Sequence, residues 1–138
     1  MNFISQKVMI IDDTYIDRFV AEKLIRKYSS PEEILSVASA IDALTFFRQQ
    51  TDNTNLPELI FLDISMPEMD GFQFLEAFNQ LPAFIKEYCR IVMLTSSLNT
   101  SDNERAMTYT NVVRFLNKPL DEGKLKSIPM PVTTGHAK

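Results

Sequence analysis

The sequence is poor in the side chains that most often carry metal, redox and acid–base chemistry. Among 138 residues there is one cysteine, one histidine and no tryptophan. Cys89 has no partner for an internal disulfide, and beside the apolar run 91–94 it reads as a buried, inert thiol. His136 stands among Pro, Thr and Gly with no second histidine nearby, which argues against a histidine metal site or a histidine base. No apolar run approaches the ~18 residues of a membrane span. The first seven residues lead straight into an apolar run, so no signal peptide is expected. Fourteen basic against eighteen acidic residues give a net charge of -4, and without a Lys/Arg cluster no field invites nucleic acid. These absences, with a 45% hydrophobic content, fit one globular domain in a reducing cytoplasm.

What is present is a set of four short apolar runs, each ending on a polar residue. Residues 8–11 stop at Asp12-Asp13, 59–62 at Asp63, 91–94 at Thr95, and 112–116 at Asn117-Lys118. Runs of this length, rich in Val, Ile, Leu and Phe, read as strands buried on both faces. A weaker strand is expected at 34–38. Between the strands lie helical patterns. Tyr15–Tyr28 places Ile16, Phe19, Val20, Leu24 and Ile25 at three- and four-residue spacing, and 40–50 brings Ile41, Leu44 and Phe47 to one face. Further helices are expected at 72–80, at 83–88 after Pro82, from a Ser101–Glu104 capping box to 109, and at 121–128. Ile128, Met130 and Val132 are placed to run on over the sheet as an extended tail. The alternation predicts an α/β, doubly wound (βα)5 flavodoxin-like sandwich, a five-stranded parallel sheet of order 2-1-3-4-5.

In such a sheet the ligand site lies beyond the carboxyl ends of the strands, where strand order reverses. Asp12, Asp13, Asp63, Thr95 and Lys118 therefore share one rim. One Asp alone reads as a helix cap, but two that meet a third carboxylate do not. A pair of carboxylates ~4 Å apart repel by roughly 4 kcal/mol at an effective dielectric of about 20. A proton or a cation must relieve that, and an oxygen-only donor set suits Mg2+ better than Zn2+. Asp63 is then a nucleophile able to accept a phosphoryl group as an acyl phosphate, with Lys118 as a point charge and Thr95 as a hydroxyl donor. Taken singly, Thr95 reads as a hydroxyl satisfied by nearby backbone and Lys118 as a solvated loop lysine. Their shared placement at strand ends is what argues otherwise.

Four fragments resemble the response-regulator receiver domain of two-component signalling: Ile10-Ile11-Asp12-Asp13, the block from Leu62-Asp63 to Asp70-Gly71, Met93-Leu94-Thr95-Ser96-Ser97, and Phe115-Leu116-Asn117-Lys118-Pro119-Leu120. The resemblance covers roughly residues 6–128. It implies that Asp63 takes a phosphoryl group from a phosphohistidine on a sensor histidine kinase or histidine phosphotransfer protein. It implies Mg2+ held by Asp12, Asp13, Asp63 and the main-chain carbonyl of Ser65, with Lys118 pairing to the phosphoryl group and a cis Lys118–Pro119 bond. Thr95 and Phe115 are the implied switch residues, and the surface of the fourth main helix, fifth strand and last helix is the implied output. For Phe115 a permanently buried core aromatic is the competing interpretation.

The expected organisation is a receiver over residues 1–128 and a tail over 129–138 without an output domain. It would catalyse its own phosphorylation and dephosphorylation and turn over no outside substrate, acting on a downstream protein or as a relay, with no membrane or nucleic acid partner. Ser65 and Ser97 leave room near Asp63 for an attacking water. The competing enzyme reading is a Mg2+-dependent phosphohydrolase of haloacid dehalogenase type, but the second Asp such enzymes place two residues on is Ser65 here. A metal-dependent nuclease is disfavoured by the missing basic track.

Overall fold

The computed structural model describes residues 7–97 and 99–129. Five parallel strands, β1 (Lys7–Ile11), β2 (Glu33–Val37), β3 (Leu59–Asp63), β4 (Arg90–Thr95) and β5 (Val112–Asn117), form one sheet of order β2-β1-β3-β4-β5. Among the described residues six helices separate or follow them: α1 (Tyr15–Tyr28), α2 (Ala40–Arg48), α3 (Gly71–Phe78), α4 (Ala83–Lys86), α5 (Thr100–Ala106) and α6 (Glu122–Lys126). The expected α/β sheet and its strand order are therefore present. The addition to five βα units is α4, the single turn after Pro82.

Alternation along each strand divides the core in two. Met9, Ile11, Ile60, Leu62, Ile91 and Met93 face one side and pack with Leu44 and Phe47 of α2, Phe74 and Phe78 of α3, Ile85 and Ala106. Val8, Ile10, Phe61, Val92 and Leu94 face the other, against Ala21 and Ile25 of α1, Leu125 of α6, and Ile128. Strands buried on both faces explain why their sequences read as unbroken apolar runs. Ile128 does cover this second face; Met130 and Val132 lie outside the described residues.

Helix α1 has the expected bounds and turns Leu24 and Ile25 of the expected stripe to the core, but not its first half. Tyr15, Ile16, Phe19 and Val20 are exposed, at 67%, 61%, 45% and 41%. The buried residues are Ala21 and Ile25. The rotation has a polar cause. Asp17 reaches the Lys118 ammonium at 2.8 Å and the Arg18 guanidinium donates to the Asp12 carbonyl at 2.8 Å, so the first turn is turned inward on its charges. Ile41 of α2 is likewise exposed at 44%, its place in the core taken by Ala40 and Ala43. Helix α5 starts earlier than expected: Asn99 caps it, its side-chain oxygen accepting from the Ser101 and Asp102 amides, so Ser101 is no capping box.

Two local devices fix the edges of the sheet. At its amino-terminal edge the Asn111 side chain donates to the carbonyls of Lys86 and Cys89, tying α4 and the approach to β4 to the approach to β5. At the carboxyl edge α3 packs hard against the end of β3. A Cβ on Gly71 would meet the Asp63 carbonyl oxygen and the Ile64 Cα, each at 2.9 Å, so only glycine fits there. Asp70 and Gln73 complete a reciprocal capping box at the same helix start. Gly71→Ala is expected to lower stability by about 1–3 kcal/mol, the range for a forced backbone shift in a packed site, measured by urea unfolding.

Candidate functional site

The site is built on the ends of β1, β3, β4 and β5, at the reversal of strand order between β1 and β3. Asp12 follows β1 directly, Asp63 and Thr95 are the last residues of β3 and β4, and Lys118 follows β5. One carboxylate oxygen from each of Asp12, Asp13 and Asp63 falls within 4.8 Å of the others. Asp12 and Asp63 are buried and Asp13 is exposed. The three acids expected on one rim are thus brought together.

Asp12 does two jobs. Its Oδ1 accepts from the Thr14 amide at 2.9 Å and its Oδ2 accepts from Lys118 Nζ at 2.8 Å. Thr14, not Asp12, is the N-cap of α1, so the cap alternative does not describe this residue. Lys118 Nζ also lies 2.8 Å from Asp17 and 3.3 Å from Asp63. Burial disfavours the Lys118 ammonium, but hydrogen bonds to Asp12 and Asp17 and the charges of Asp63 and Asp12 more than offset it, so its pKa lies above the ordinary lysine value. The Lys118 amide donates to the Thr95 carbonyl at 2.7 Å, and the Lys118–Pro119 bond is cis, as expected.

Burial is the main influence on Asp63, followed by the neighbouring Asp12 charge. Together they raise its pKa from 3.8 to about 6, while Lys118 and the Ser65 amide hold it back. An acid so placed is short of positive charge, which is the chemical argument that a hard cation fits here. The donors are all oxygens, as Mg2+ requires, and among the described residues no thiol or imidazole joins the cluster: Cys89 is buried in the core and its thiol is pushed up by that burial.

The remaining expected residues are near but differently engaged. The Thr95 hydroxyl is buried and donates to the Ser97 carbonyl at 2.9 Å, while the Ser97 amide donates back to it at 3.2 Å. Here the backbone-satisfied alternative describes Thr95. Phe115 is half-buried and packs against the larger core cluster, between the two readings of it. Ser65 is exposed beside Asp63. Sequence reasoning missed Asp17 and Arg18. An acid in the first turn reads as a partner for the helix dipole, and the apolar stripe placed both residues on the solvent side. The available signal was their position one turn after an acidic pair at the rim.

The pattern of the response regulator receiver domain matches residues 8–128. The chain belongs to the response regulator receiver domain family. The receiver is 30% identical to Protein PilG of Pseudomonas aeruginosa over 86% of this chain and 81% of that protein. It is 27% identical to Hybrid signal transduction histidine kinase L of Dictyostelium discoideum over 88% of this chain, spanning only 7% of the kinase. Among solved structures it is similar to a two component response regulator from Cytophaga hutchinsonii, with TM-score 0.82 and 30% identity, covering 88% of this chain and 91% of that one. The phosphohydrolase reading gains no support from these relatives. Among the described residues no helix is long and apolar enough to cross a membrane.

A folded Asp63 that keeps its proton to about pH 6, against 3.8 for the free side chain, makes ionisation costly to the fold as pH rises through that window. Asp63→Asn is expected to melt roughly 2–6 °C above the parent at pH 7.5 without divalent cations. The gain should vanish as pH falls below the window, and Mg2+ should raise the parent melting temperature but not the variant's. Differential scanning calorimetry measures all three.

Proposed function

We propose that this receiver takes a phosphoryl group on Asp63 from a phosphohistidine of a sensor histidine kinase or histidine phosphotransfer protein. The observation carrying the proposal is the convergence of three carboxylates and the Lys118 ammonium on the rim where the strand order reverses. An Asp63 carboxylate oxygen attacks phosphorus, the phosphorus–nitrogen bond breaks, and the imidazole nitrogen leaves with its electron pair. Asp12, Asp13, Asp63 and the Ser65 main-chain carbonyl would hold Mg2+, which offsets charge on the phosphoryl oxygens. Lys118 gives up its contact with Asp63 and pairs with a phosphoryl oxygen. Hydrolysis of the acyl phosphate by water admitted past Ser65 and Ser97 resets the site, without turnover of an outside substrate.

The output follows from the hydroxyl of Thr95. A group carrying about -1.5 to -2 charges competes with the Ser97 carbonyl for that donor. Once Thr95 turns inward, the half-buried Phe115 ring has space to follow, and the face formed by α5, β5 and α6 changes shape. That face would engage a downstream protein or pass the signal on as a relay. The exposed apolar side of α1 borders the acceptor rim, where Tyr15 stacks on Phe19 at 6.1 Å and Lys23 lies over the Phe19 ring. A patch of this kind supports docking of the phosphodonor protein.

Incubation with a small acyl phosphate and Mg2+ should add the mass of one phosphoryl group to the intact protein. The gain should disappear with Asp63→Ala and with chelation of the metal; a gain surviving Asp63→Ala refutes the assignment. Phe19→Asp should leave acceptance from the small donor unchanged and slow transfer from a phosphorylated histidine protein by about tenfold, the loss of one apolar anchor at an interface.

A further inference from the structure

Lys118 carries three ammonium protons, and three carboxylates surround it. Two are close, Asp12 and Asp17 at 2.8 Å each, while the proposed acceptor Asp63 stands at 3.3 Å. The lysine therefore leans toward α1 and away from the residue it is meant to serve. Asp12 holds it from the sheet; Asp17 alone draws it to the helix. Between α1 and the loop after β5 lies a cleft of about 320 Å3, lined by Asp17, Val20, Ala21, Lys118, Pro119 and Leu120, which gives the lysine side chain room on that side.

We infer that Asp17 is a positioning residue that holds Lys118 on the α1 side of the site and so sets how readily the ammonium reaches Asp63 and a phosphoryl group on it. This rests on the reading of Asp63 as acceptor. The alternative role, an acid placed in the first turn to offset the helix dipole, does not require its Oδ2 to sit on Lys118. The other polar contact of that turn, Arg18 to the Asp12 carbonyl, fixes the rotation that aims Asp17 inward. With Asp17 neutralised, Lys118 is shared between Asp12 and Asp63 only. It then stands closer to the acceptor, stabilises an incoming phosphoryl group sooner, and competes more strongly with a cation for the same two carboxylates.

The test is a double-mutant cycle on the full chain, combining Asp17→Asn with Lys118→Met, with Asp17→Glu as the charge-preserving control. One readout is the rate of phosphorylation by a small acyl phosphate at saturating Mg2+; the other is Mg2+ affinity of the unphosphorylated protein by calorimetry. Asp17→Asn is expected to speed phosphorylation and weaken Mg2+ binding, each by about 3- to 10-fold, as fits a half-exposed ion pair. Asp17→Glu should stay within about twofold of the parent, and both effects of Asp17→Asn should collapse in the Lys118→Met background. Equal effects in both backgrounds, or none in either, overturn the inference. Were the parent to accept no phosphoryl group, the reading of Asp63 would fall, while the Mg2+ cycle would still decide the role of Asp17.

Discussion

The site depends on carboxylates held closer together than their charges favour. Asp12 and Asp63 are buried at the ends of adjacent strands, and their mutual repulsion and desolvation cannot be relieved by moving apart, because the β1–β3 ladder fixes both chain positions. In this structure one lysine supplies the relief. Its ammonium is pulled from three directions, and every group around it is defined by how much of that charge it holds. Under the proposed function, a divalent cation or a phosphoryl group would enter the site by changing that distribution, and chemistry at Asp63 and rearrangement of its neighbours would be one electrostatic event.

Much of this was legible in the sequence because the sheet is parallel and buried on both sides. Strands of that kind must be continuous apolar runs, so their ends are visible, and the polar residue at each end marks the rim without any knowledge of the loops. Asp12, Asp63, Thr95 and Lys118 were found that way. Asp13 came with Asp12 through the chain itself.

Helix faces were less legible. Spacing gave α1 its bounds, but two apolar stripes were available on that helix and the choice between them lay in contacts with residues about a hundred positions away. Lys118 pulls Asp17 inward, and no periodicity argument contains that pull. The same competition explains Ile41, displaced from the core by the smaller Ala40 and Ala43, which let α2 approach the sheet. At α5 the capping role moved from Ser101 to Asn99, whose side-chain oxygen accepts two amides at once and so starts the helix two residues earlier.

Asn111 has a mechanical consequence. One amide group staples the approach to two neighbouring strands and the extra helical turn between them, far from the acidic rim. The lower end of β4 and β5 is thereby a fixed foundation. Thr95 and Phe115 lie toward the opposite ends of those strands. Under the proposed function, a displacement started there by a new charge would be confined to the upper loops and expressed sideways, in the helical flank anchored from below.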